Sequence, residues 1–211
     1  MIKAVIFDLD DTLCPEIEYV KSGFKAISKE FKDEKLFDLL YSLFKSDRAN
    51  VYQRAGFSNE EIKKCIEIYR NHKPELTLSK DARDVLLYLK SLGIKLGIIT
   101  DGRPEGQRNK IEALGLSEYV DCIIVTDELG GVEFRKPNTK AFKIMKEKLS
   151  VEFREMIYVG DNPIKDFIAP KKLGMESCYF YTVDGLYTTE DCDIENKITD
   201  MKQLKTVIKG I

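Results

Sequence analysis

Four short clusters in this 211-residue chain gather the residue types that handle phosphate and metal ions. Asp8-Leu9-Asp10-Asp11-Thr12 crowds carboxylates and a hydroxyl into one stretch. Thr100-Asp101-Gly102 adds a second hydroxyl, and Lys136-Pro137 a cation. Gly160-Asp161-Asn162, with Asp166 close behind, adds two more carboxylates. Carboxylates that meet at one point repel each other and raise their own pKa values. A hard divalent cation removes the conflict, and oxygen ligands of this kind suit Mg²⁺. Such an ion keeps part of its water and binds a substrate phosphate. A lysine and a threonine beside it neutralise and hydrogen-bond phosphate oxygens, as do backbone N–H groups at tight turns. Brought together, the clusters would hold a phosphoryl group against a carboxylate.

That convergence requires a scaffold, and the apolar runs supply one. Lys3 to Phe7 (KAVIF) is short, apolar and β-branched, the mark of a buried strand. Comparable runs lie at Ile94 to Thr100, Asp121 to Val125, Met156 to Val159 and Ser177 to Tyr181. Between them are helical patterns: one capped by Ser79 and running to Gly93, one from Pro104 to Gly115, one from Pro163 to Gly174. The tail from Lys197 to Ile211 reads as a short strand and a final helix. Strands alternating with helices predict an α/β fold with a doubly wound, mostly parallel sheet. Ligands bind such a sheet at the carboxyl ends of its strands, which is where the four clusters fall.

One segment breaks the rhythm. Between Pro15 and Pro74 there is no strand-like run, only helical spacing: Val20, Phe24 and Ile27; Leu36, Leu39, Leu40 and Leu43; Ile62, Cys65, Ile66 and Tyr69. We read residues 15–74 as an all-α insertion in a core formed by residues 1–14 and 75–211; a long helical crossover is the alternative.

The motifs DLDDT, ITDG, RKPN and GDNPIKD, in this order, resemble the haloacid dehalogenase superfamily over most of the core, from Lys3 to about Tyr181. The resemblance implies a Rossmann-like core with a helical cap. It also implies a Mg²⁺-dependent phosphatase acting on a small phosphorylated metabolite, such as a sugar phosphate or nucleotide, through a phospho-aspartate. Carried over, it makes Asp8 the nucleophile and Asp10 the acid that protonates the leaving oxygen and later deprotonates water. Thr12 would support the loop. Thr100 would bind phosphate oxygens with the backbone of Asp101 and Gly102, and Lys136 would balance charge on the phosphate and on Asp8. Asp8, Asp161 and the Asp10 carbonyl would ligate Mg²⁺, with Asp166 a further ligand or an anchor behind them. The insertion falls where capped members carry a lid that excludes water, and Arg48, Tyr52 and Arg54 are its candidates for leaving-group contact.

Other functions on this scaffold leave different marks. Dehalogenases of the superfamily generally lack the second acid, so Asp10 counts against that activity. Phosphonate-cleaving relatives also depart there and use a cap lysine. Sugar phosphomutases keep both acids but usually carry glycine where Thr12 stands. A non-enzymatic regulatory module is disfavoured by the intact Asp8, Asp10, Thr100, Lys136 and Asp161 set.

Composition narrows the partners. Charge is nearly balanced at net −2, which argues against a nucleic-acid partner but not against a phosphate ester held by local cations. No apolar stretch approaches the roughly 20 residues that span a bilayer. Cys14, Cys65, Cys122, Cys178 and Cys192 form no CxxC pair and read as reduced thiols in the cytoplasm. His72 is the only histidine, which argues against zinc, and is expected to brace a hinge with Tyr69.

Overall fold

A computed structural model describes residues 1–182, 185 and 193–211; Cys192 lies outside them. The chain divides into two compact units, Met1–Glu16 with Thr77–Ile211, and Ile17–Leu76. The first is built on a six-stranded parallel sheet: β1 (Ala4–Phe7), β2 (Lys95–Thr100), β3 (Cys122–Val125), β4 (Met156–Gly160), β5 (Glu176–Phe180) and β6 (Asn196–Ile198). The strand order is β3-β2-β1-β4-β5-β6. β1 and β4 are buried along their whole length and β2 except at its first residue. Covered on both faces, they show unbroken apolar sequence instead of alternation. The chain lays down β1, β2 and β3 in one direction and returns to add β4, β5 and β6 on the other side of β1. The topological switch point, where doubly wound sheets bind ligands, therefore lies between β1 and β4.

The second unit is helical: α1 (Glu16–Phe31), α2 (Lys35–Ser46), α3 (Val51–Arg54) and α4 (Asn59–Asn71). Val20, Phe24 and Ile27 on α1 bury against Leu36 and Leu40 of α2, Val51 of α3 and Cys65 of α4. Leu39 was expected inside but is 45% exposed, because Leu36 and Leu40, one turn apart, carry the buried stripe of α2. α4 opens with a capping box: the Ser58 hydroxyl accepts from the Glu61 N–H (3.3 Å), and the Glu61 carboxylate accepts from the Ser58 N–H (2.8 Å).

The core helices are α5 (Lys80–Ser91), α6 (Pro104–Ala113), α7 (Lys140–Leu149), α8 (Ile168–Leu173) and α9 (Leu204–Gly210). Ser79 caps α5 by accepting from the Ala82 N–H at 3.1 Å, and α6 has Pro104 at its first position. α7 buries Ala141, Phe142 and Met145 in one cluster with Ala4, Ile6 and Tyr158 of the sheet, each large apolar side chain contributing about 1.5–3 kcal/mol. The helix expected from Pro163 starts only at Ile168. Pro170 explains the difference. A helix begun at Pro163 would need an N–H at Pro170, whereas a start at Ile168 puts it in the first turn, where none is required. Among the described residues no helix is long and apolar enough to cross a membrane.

Candidate active site

Asp8 follows β1 directly, and its N–H donates to Val159 O of β4 at 2.8 Å, extending the ladder by one residue. Asp161 follows β4. The residues after it form a turn: Asn162 Oδ1 accepts from the Ile164 N–H (3.0 Å), and the Asp166 N–H donates to Asn162 O (2.9 Å). The turn brings the Asp166 carboxylate back to accept from the Asn162 N–H at 3.0 Å. Gly160 makes this possible, since a Cβ there would collide with Asp166 Oδ2. Asp8, Asp161 and Asp166 are all buried and each offers a carboxylate oxygen within 4.8 Å of the others.

One cation is inserted among them. Lys136 Nζ lies 2.8 Å from Asp8 Oδ1 and 2.8 Å from Asp166 Oδ1, and donates to Tyr158 OH at 2.8 Å. The ammonium thus pairs with two carboxylates while donating a hydrogen bond to the tyrosine. Tyr158 OH donates in turn to Ile99 O at 3.2 Å. Burial works against charge on Lys136, yet Asp166 and Asp8 hold its pKa well above the usual lysine range. The carboxylates are less well served. Burial pushes Asp8 up to about 6, Asp166 adding to the effect while Lys136 opposes it. Burial, then Asp8 and Asp166, push Asp161 up to about 9. Lys165 also acts on Asp8 but is paired with Asp101, so three carboxylates around one inserted ammonium leave the cluster short of positive charge.

The β2 end supplies the other wall. Thr100 is fully buried and its Oγ1 accepts from Gln107 Nε2 at 2.5 Å. Asp101 was expected to contribute its backbone; its side chain also braces the loop carrying Lys136. It accepts from Thr126 Oγ1 (2.9 Å), the Lys136 N–H (3.0 Å) and Lys165 Nζ (3.2 Å). Burial opposes charge on Asp101, but Lys136 and Lys165 bring its pKa below the ordinary value. Gly102 adopts φ +141°, which a side chain would strain.

The Asp10 carboxylate is not part of the acidic cluster. Lys110 Nζ lies 2.6 Å from its Oδ1, and Gln107 Nε2 donates to its Oδ2 at 2.9 Å. Next to it, Asp11 takes a left-handed backbone (φ +51°) and accepts the Glu16 N–H at the start of α1 at 2.8 Å. Thr12 is buried in the same turn. Burial pushes the Cys14 thiol up to about 12, so it is no competing nucleophile. Gln107, Lys110, Tyr158 and Lys165 were not singled out from sequence.

In the helical unit, Arg54 is not available to a ligand. Its guanidinium donates to Leu43 O, Asp47 O, Ala49 O and Ser46 Oγ, fastening the end of α2. Arg48 lies over the Phe44 ring at 5.9 Å, and Tyr52 packs edge-on to Phe24 at 6.4 Å. Both line a cavity of about 260 Å³ within this unit. His72 Nδ1 donates to Tyr69 O at 2.7 Å, and its ring sits 4.8 Å from that of Tyr19.

Comparison with known proteins assigns the chain to a family. The family described as haloacid dehalogenase-like hydrolase matches residues 5–180. The chain is 28% identical to glyceraldehyde 3-phosphate phosphatase of Methanocaldococcus jannaschii, over 100% of this chain and 99% of that protein. It is 27% identical to ribulose-1,5-bisphosphate 5-phosphatase of Halopiger xanaduensis, over 92% and 90%. A solved HAD-superfamily hydrolase of subfamily IA from Geobacter sulfurreducens shares the fold, with a TM-score of 0.72 over 98% of this chain and 96% of that one, at 16% identity. The chain belongs to the haloacid dehalogenase-like hydrolases. Within them it is a phosphoric monoester hydrolase.

Proposed function

We propose that this protein hydrolyses a small sugar phosphate, of the triose or pentose class, through a phosphorylated Asp8 and with Mg²⁺. The buried Asp8–Asp161–Asp166 cluster beside Lys136 at the switch point carries the reading. The donor set fits the metal: three buried carboxylates, all-oxygen and balanced by one ammonium, lack the positive charge a divalent cation supplies. Asp8, Asp161 and Asp166 would hold Mg²⁺, with the Asp10 carbonyl, and the bound ion would neutralise them and the incoming phosphate. The substrate class follows the relatives, named for glyceraldehyde 3-phosphate and ribulose bisphosphate.

The chain's own residues divide the chemistry. Asp8 attacks phosphorus, forming its O–P bond as the ester P–O bond breaks. Asp10 gives its proton to the departing alkoxide, then takes one from the water that cleaves the aspartyl phosphate. Lys136 holds Asp8 in line and offsets phosphate charge. The Thr100 hydroxyl donates to a phosphate oxygen. The free thiols of Cys14, Cys65, Cys122 and Cys178 fit a reducing compartment such as the cytoplasm.

A phosphate-release screen over triose, pentose and hexose phosphates and nucleoside monophosphates tests this. Release is expected to be fastest from the first two classes and to stop on chelation. No release from any sugar phosphate, or undiminished release in strong chelator, ends the reading.

Metal binding has a second signature in stability. An ordinary carboxylate titrates near 4. With Asp8 raised to about 6 and Asp161 to about 9, the metal-free fold binds more protons than the unfolded chain between about pH 4 and 9. It therefore loses stability as pH rises through that window. Mg²⁺ replaces those protons, so its stabilisation grows with pH. Melting curves at pH 5 and pH 8, with and without Mg²⁺, should show the larger rise at pH 8; an equal or smaller rise contradicts the site.

A further inference from the structure

Two buried polar residues of α6 have no role in the mechanism above. Gln107 and Lys110 are each only 4% exposed and stand one turn apart on the helix. Both reach the same carboxylate, Lys110 to Asp10 Oδ1 at 2.6 Å and Gln107 to Asp10 Oδ2 at 2.9 Å. The Gln107 amide has its nitrogen towards Asp10 because its oxygen there would repel the carboxylate. The same nitrogen donates to Thr100 Oγ1. An N–H can only donate, so the Thr100 oxygen is the acceptor and its own hydrogen is left to donate elsewhere.

We infer that Gln107 and Lys110 are positioning residues that clamp the Asp10 carboxylate to α6, and that Gln107 ties this orientation to the Thr100 hydroxyl. The inference rests on the reading of Asp10 as the acid–base group. Asp10 is carried on a short loop whose next residue has a left-handed backbone. Both donors come from outside that loop, from a helix beginning four residues after Thr100. A clamp on two oxygens fixes the direction of the carboxylate as well as its place. Proton transfer to a leaving oxygen needs both, since a displacement of about 1 Å can cost about 10²-fold in rate.

The test compares kcat/KM, which reports phosphoryl transfer, on an alkyl sugar phosphate and on p-nitrophenyl phosphate, whose good leaving group needs little protonation. Lys110→Met is expected to lower the alkyl value about 10²-fold and the aryl value by less than about threefold. Lys110→Arg should recover part of the loss. In an Asp10→Asn background, Lys110→Met should cause no further loss on the alkyl substrate. Gln107→Met, which also deprives Thr100 of its donor, should hurt both substrates, the alkyl one more; it carries the test if Lys110→Met does not fold. Equal losses on the two substrates for Lys110→Met, or losses that add to those of Asp10→Asn, overturn the clamp. If Asp10→Asn alone shows no leaving-group bias, the acid–base reading falls and takes the clamp with it. That result is distinct from one in which Asp10→Asn is biased and Lys110→Met is not.

Discussion

Asp8→Asn abolishes turnover and leaves no phosphate on the protein after rapid quenching with an activated aryl phosphate. The other carboxylates here have other tasks, Asp161 as a proposed metal ligand among them. Asp10 is held by Lys110 and Gln107, and Asp166 is ion-paired with Lys136 and accepts from the Asn162 N–H. Loss of a covalent nucleophile commonly costs 10⁴-fold or more, about 10⁶ in the best-measured case. Asparagine has the size of aspartate and carries no charge, so it relieves the repulsion that raises Asp161. The variant should therefore melt no lower than the parent in the absence of metal. Acid-stable labelled phosphate on Asp8→Asn would end the nucleophile assignment. A folded, unlabelled and inactive protein supports it.

Lys136→Met, in contrast, damages the fold along with the activity. Lys136 pairs with Asp8 and Asp166 and donates to Tyr158 at once. Its loss leaves two buried carboxylates facing each other and Asp161 with no ammonium among them. Breaking a buried pair by removing one partner costs about 3–5 kcal/mol. The pH dependence separates this from a simple packing defect. Carboxylates stripped of their cation take up protons as pH falls, so the deficit is largest near pH 8 and shrinks towards pH 5. Urea denaturation of parent and variant at both values measures it. A variant as stable as the parent at pH 8 shows that Lys136 does not hold the cluster together.

The scaffold of this site was legible in the sequence because its strands are buried on both faces. Each of the apolar runs read as β1 to β5 matches its observed strand to within a residue at either end. The four polar clusters were legible for the same reason, since each lies directly after such a run or in the loop beyond it. What was not legible depends on partners distant in sequence. Gln107 and Lys110 drew no notice in the sequence, although they share an i, i+3, i+4, i+7 face with Ile111 and Leu114, both buried. A glutamine and a lysine on the apolar face of a helix that starts at a candidate site were the available signal. Tyr158 was hidden inside an apolar strand, where only its hydroxyl distinguishes it from core. Arg54 closes a helix end through carbonyls that no local pattern in the sequence pairs with it. The displaced start of α8 was set by Pro170, seven residues beyond the proline taken as its beginning.

The central place of β1 in the sheet has a consequence for the growing chain. Asp8 is made before either neighbour of its strand, which is flanked by β2 on one edge and β4 on the other. β2 arrives after the whole helical unit has been made, and β4 only about 150 residues after β1. Closing so long a loop costs little more than closing a shorter one, because the entropy grows only with the logarithm of its length. The delay lies in waiting for the partner, not in finding it. Until residue 160 emerges, β1 has an open edge, and the segment bearing the nucleophile is an apolar strand end with no neighbour on that side. The acidic cluster can therefore form only once both edges are filled, so a truncated chain keeps its nucleophile without the machinery that makes it reactive.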